Sequence, residues 1–278
     1  MKMTPKSIVS ALALSGFLLV GCSDVATETD TDTTALTPGE GTGTLTVHAN
    51  GEEYAWEGIT SKEGWNLTFD HLYVHLSDVT AYQTDPPYQA ENAEISARKS
   101  LMLVESTTVD LAQGDGPVFL GEADAESGHY NALSWRMLPA PDGPAEGYVM
   151  LLKGTAERDG ETIEFSIAFD QPLAFTCGEF VGDERKGILD QGETADLEAT
   201  FHIDHLFGNG ERPADSQLNQ EALGFEPIAA LADNGTVEVT WETLMTDLST
   251  EEQEKLTQIL PALGHVGEGH CFESMMSN

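Results

Sequence analysis

Leu67-Thr68-Phe69-Asp70-His71-Leu72-Tyr73-Val74-His75-Leu76-Ser77-Asp78-Val79 is the stretch whose alternation decides the fold class. Side chains two apart on a strand share a face, so Leu72, Val74 and Leu76 line one side while His71, Tyr73 and His75 line the other. The apolar side belongs to a core, and the histidine side faces solvent or a cleft. Residues 44–49 show the same alternation before it, and residues 101–111, 129–138, 148–157, 162–169 and 196–206 after it. Glycine, proline, asparagine and aspartate punctuate the runs. Asp159-Gly160 falls between two of them as a hairpin turn, and Asn50-Gly51 signals another before Tyr54-Ala55-Trp56. Short strands at this spacing, with no interleaved helical pattern, predict a mainly β fold: an antiparallel β-sandwich with one or two short C-terminal helices.

The helix signals sit late in the chain. Ser249-Thr250-Glu251-Glu252 has the form of a capping box and opens a helix over 252–260 before Pro261. A second short helix is expected over 214–223, where Gly224 stops it, and a further turn over 225–232. Four Trp, eleven Phe and 40% hydrophobic residues supply a real core. The 48 acidic residues against 12 basic ones give a net charge of −36, a surface suited to salty surroundings. Nucleic-acid affinity rests on Lys and Arg contacts to phosphate, so DNA and RNA are excluded as partners.

The N-terminus carries Lys2 and Lys6, then an apolar stretch that ends at Leu18-Leu19-Val20-Gly21-Cys22. A basic start, a short apolar run and small residues before a cleavage point define an export signal rather than a membrane span. These residues form a lipobox, and the chain resembles bacterial lipoproteins on their strength. That resemblance implies cleavage before Cys22, lipidation of Cys22, and membrane attachment through the acyl chains. With Ser23 after the cysteine, it further implies an outer-membrane lipoprotein, expected on the periplasmic side. The expected organisation is a signal peptide over 1–21, a polar tether over 22–42 and a β-sandwich domain over 43–278 that carries the helix and a His/Gly tail. The globular part resembles the β-rich lipoproteins common in bacterial envelopes. With Cys22 lipidated, Cys177 and Cys271 are left as an even pair in an oxidising compartment, where a disulfide is expected and two metal-bound thiolates are the alternative.

Six of the eight histidines fall in three short groups: His71 with His75, His202 with His205, and His265 with His270. Phe69-Asp70-His71-Leu72 and Ile203-Asp204-His205-Leu206 share an apolar-Asp-His-Leu pattern on expected strands, and a carboxylate beside an imidazole serves as ligand or orienter. On a regular strand His202 and His205 would face opposite sides, so only a bulge or strand end would join them. The tail Gly264-His265-Val266-Gly267-Glu268-Gly269-His270-Cys271 combines ligand-type side chains with three glycines that let the backbone fold closely. His71, His202, Asp204, His205, His265 and His270 are therefore the candidate metal ligands, in a nitrogen-rich set suited to zinc or copper. Zincin, nucleophile-elbow and phosphate-loop signatures are missing from the mature chain. The expected function is non-catalytic metal binding or handling at the envelope, with a metal transporter or another envelope protein as partner. An envelope module that binds a protein or polysaccharide, with incidental histidines, is the alternative.

Overall fold

The computed structural model describes residues 41–90 and 95–275, so the lipobox, Cys22 and nearly all of the tether lie outside the described residues. The first strand, β1 (Thr42–Asn50), starts within the expected tether: Thr42 already pairs with Glu126. The hairpin expected at Asn50-Gly51 does not form. The Asn50 side-chain oxygen accepts the Glu52 backbone N–H at 2.8 Å, and α1 (Glu52–Glu57) follows. After β2 (Ile59–Thr60) comes β3 (Asn66–Thr84), which contains the decisive alternation, and β4 (Ala97–Asp110) returns along it. Next are β5 (Val118–Glu126), the short β6 (Gly128–His129) and β7 (Ala132–Met137). The expected hairpin joins β8 (Met150–Arg158) to β9 (Glu161–Phe169), with φ of 53° at Asp159 and 86° at Gly160. Both values are positive, as a type I′ turn requires.

Three more strands, β10 (Leu173–Cys177), β11 (Ile188–Leu189) and β12 (Thr194–Phe201), lead into short helices. These are α2 (Asp204–Phe207), α3 (Gln217–Glu221) and α4 (Glu226–Ala229). Then β13 (Thr236–Thr240) precedes α5 (Trp241–Asp247) and α6 (Thr250–Ile259). The expected capping box opens α6: Ser249 accepts the Glu252 N–H, and Glu252 accepts the Ser249 N–H at 2.8 Å. A 3-10 turn (Leu260–Leu263) delivers the chain to β14 (Gly264–Val266) and β15 (Gly269–Met275). Among the described residues no helix is long and apolar enough to cross a membrane.

Thirteen strands form one sheet in the order β13-β9-β8-β3-β7-β10-β15-β14-β12-β1-β5, with β2 and β4 also paired to β3; β6 and β11 pair separately. The spine is β3, whose first half pairs with β8 and second half with β7, while β4 runs along its other edge. At the far end β5 comes back against β4. A Cβ on Gly121 would lie 2.8 Å from a Val104 methyl, so glycine permits the close approach that curls the sheet into a half-barrel. The expected antiparallel sandwich is thereby corrected to a mixed sheet, because β1 runs parallel to β12 and β13 parallel to β9. Alternation reports that a segment is half-buried; it carries no information on the direction of a distant partner.

Trp135, Phe175 and Phe201 form the buried centre beneath β14. Trp135 stacks on Phe175 with centroids 5.0 Å apart and meets Phe201 edge-on at 6.2 Å. Gly264 makes this packing possible, since a Cβ there would sit 2.5 Å from the Phe175 ring. Directly opposite Phe175, Glu273 shares the inward side with Cys271. Burial pushes the Glu273 carboxyl up to about 7 from its ordinary 4.5. A raised folded-state pKa favours the protonated form, so this contribution to stability is complete below pH 4.5 and is lost as pH rises through about 7. Glu273→Gln should therefore raise urea-unfolding stability at pH 8 by about 1–3 kcal/mol, discounted for partial solvent access, with little change at pH 4. Equal effects at both pH values would reject this account.

Candidate metal centre

The parallel pairing of β1 and β12 builds the site. Parallel strands end on the same side, and Asn50 pairs with Thr200 at their C-terminal ends. Two residues beyond each lie Glu52 and His202, with His202 Nδ1 and Glu52 Oε2 3.5 Å apart. The strand expected over 196–206 stops at Phe201, and the backbone turns helical into α2. Residues three apart on a helical turn lie on one side, which answers the strand objection to His202 and His205. Their ring centroids are 5.3 Å apart. Asp204, between them, is buried. One ligand-type atom from each of His202, Asp204 and His205 lies within 4.8 Å of the others.

The tail closes over this turn. Register pairs Thr200 with His265 and His265 with His270, so all three share a face. The His265 ring is 4.3 Å from that of His202, 5.2 Å from that of His205 and 5.0 Å from that of His270. The hairpin turn contacts the opposite strand directly: Gly267 donates its N–H to Thr200 Oγ1 at 2.9 Å and its carbonyl accepts from His202 Nε2 at 3.1 Å. Glycine is needed there, because φ is +59° and a Cβ would meet the Val181 carbonyl at 2.2 Å. Beyond the hairpin, Cys271 faces Cys177 across the β15–β10 ladder at disulfide distance, with sulfurs 1.98 Å apart.

Hydrogen bonding fixes which imidazole nitrogens are free. A carbonyl only accepts, so His205 Nδ1 donates to Ala262 O at 2.9 Å, His265 Nε2 to the same oxygen at 3.2 Å, and His202 Nε2 to Gly267 O. In the neutral rings this leaves lone pairs on His202 Nδ1, His205 Nε2 and His265 Nδ1. Anchoring one nitrogen to a backbone carbonyl is how proteins orient metal-ligating histidines. His265 Nδ1 and Asp204 Oδ1 are both buried without a hydrogen-bond partner. Such orphans cost about 1–3 kcal/mol each unless something outside the chain satisfies them. Burial pushes His265 down to about 3, with the neighbouring His202, His205 and His270 adding to the shift; burial likewise lowers His205. Both rings are thus neutral and able to donate a lone pair near neutral pH. Burial raises the Glu52 carboxyl, opposed by His202 beside it.

The cluster forms the floor of a cavity of about 450 Å³. Leu218, Ile259 and Ala262 supply its apolar wall, and Gln217, Gln258 and Arg212 supply polar groups. His71 is not among the residues lining it. Its Nδ1 instead meets Asp110 at 2.7 Å, and its ring stacks on Tyr73 at 4.9 Å. The two apolar-Asp-His-Leu segments therefore differ: Asp70 stays exposed on β3, whereas Asp204 is buried at the start of α2. Glu52 and Arg212 carry no signal in the sequence, because neither lies within one of the three histidine groups. Comparison of the chain with protein-family models, curated proteins and solved structures finds no match.

Proposed function

We propose that this chain is a lipid-anchored envelope protein that binds zinc or copper through His202, Asp204, His205 and His265. It handles the ion without catalysing a reaction and delivers it to a transporter or another envelope protein. The observation that carries this reading is the pair of buried orphans, Asp204 Oδ1 and His265 Nδ1, beside imidazoles anchored by backbone carbonyls. Three nitrogen donors and a carboxylate suit a first-row divalent ion. A net charge of −36 attracts cations towards the surface and raises their encounter rate. The envelope assignment rests on the lipobox and Cys22, in keeping with the Cys177–Cys271 pair.

One preparation tests both halves. The full chain made in cells fed labelled palmitate is expected to carry label that Cys22→Ser abolishes, and to retain one Zn²⁺ or copper ion per chain after dialysis. His205→Ala should weaken that binding by more than the roughly 10–100-fold that follows loss of an outer-shell partner. Stoichiometric binding with unchanged affinity in His205→Ala and His265→Ala would reject these ligands.

A further inference from the structure

The cavity is far larger than one ion requires. A volume of about 450 Å³ lies within the range of roughly 300–1,000 Å³ typical of small-molecule sites. Its chemistry is divided: metal-type donors on the floor, an apolar wall from Leu218, Ile259 and Ala262, and Arg212 on the lining. Arg212 is unusual in this chain. The protein has 48 acidic residues and 12 basic ones, yet among the described residues only Arg212 and Lys153 are basic side chains without an ion pair. An unpaired guanidinium beside a site for a cation is a planar fork suited to a carboxylate, which it can hold through two parallel hydrogen bonds.

Resting on the metal reading above, we propose that the cavity binds a small organic dicarboxylate together with the metal ion. One carboxylate takes an open position on the ion, the short carbon chain lies on the apolar wall, and the second carboxylate meets Arg212. The ion already has four protein donors, so the carboxylate enters as a fifth ligand, an expansion that zinc allows. Asp204, Glu221 and Glu268 also line the cavity, so without the cation a dianion meets mainly negative charge. Dicarboxylate binding is therefore conditional on metal. By reciprocity the dicarboxylate raises metal affinity by the same factor that metal raises dicarboxylate affinity. The protein would capture a chelated ion in preference to a bare one.

Succinate, a weak chelator, is the probe, with propionate as the control that lacks the second carboxylate. Calorimetry on the full chain is expected to show succinate binding to the Zn²⁺-loaded protein and none to the metal-free protein. In saturating succinate the Zn²⁺ affinity, corrected for zinc–succinate complexes in solution, should rise by about fivefold or more. Propionate should reproduce little of this gain. Arg212→Gln should abolish it while leaving Zn²⁺ affinity without succinate within about twofold, and Arg212→Lys should restore only part. Because Arg212 is exposed, an unchanged melting curve is expected to confirm that both variants fold. Succinate binding that ignores metal, or a gain that survives Arg212→Gln, overturns the proposal. So does zinc binding with no succinate effect, although the metal reading would then stand. Failure of zinc to bind at all overturns both.

Discussion

Replacing Cys177 and Cys271 together by serine is expected to lower unfolding stability by about 2–5 kcal/mol. The two residues are 94 apart in sequence, and in the chain-entropy model a cross-link closing about 100 residues contributes about 4.7 kcal/mol. The effect should extend to the site, because the pair holds β15 to β10 and β15 carries His270 and supports β14 with His265. Zinc affinity should fall by about tenfold, in proportion to the extra freedom of the hairpin. Urea titrations of the two forms, followed by metal competition with a chromogenic chelator, measure both quantities. An unchanged urea midpoint would mean that the ladder alone fixes the tail.

Asp204→Asn is expected to act with opposite signs in the presence and absence of metal. Without metal, Asp204 Oδ1 is buried with no hydrogen-bond partner, and an amide of the same shape can turn its NH2 towards the free lone pair of His202 Nδ1, 3.9 Å away, raising stability by about 1–3 kcal/mol. With Zn²⁺ at about 1,000 times its dissociation constant, the wild-type protein gains about 4 kcal/mol by mass action, and the variant forfeits most of that gain. The stability order of the two proteins should therefore invert when zinc is added. Denaturation with and without Zn²⁺ reads the inversion. If Asp204→Asn is the less stable protein under both conditions, Asp204 is a structural residue and the metal assignment loses its main support.

The candidate donors were visible as residue types and spacings, yet their meeting depends on contacts that no local pattern encodes. His202 and His205 were separable on a strand and adjacent on a helical turn, and the choice was made where β12 ends at Phe201. Glu52 joins them only because β1 and β12 run parallel in a register that places Asn50 beside Thr200. His71 has the same sequence signature as His205 and goes elsewhere, because Asp110 on the neighbouring strand takes its nitrogen.

Several features follow from the sequence alone. Alternation over 67–79 gives strand, Asp159-Gly160 gives a turn with positive φ, and Ser249 with Glu252 starts a helix. Each obeys a rule that acts within a few residues: the two-residue pleat, backbone sterics at a turn, or satisfaction of helix-end N–H groups. Tertiary structure decided the mixed sheet, the curl that brings β5 against β4, and the gathering of two of the three histidine groups beside Asp204. Pairing between distant strands is selected by the joint burial of many side chains, a property of the whole sheet that no short window of sequence contains.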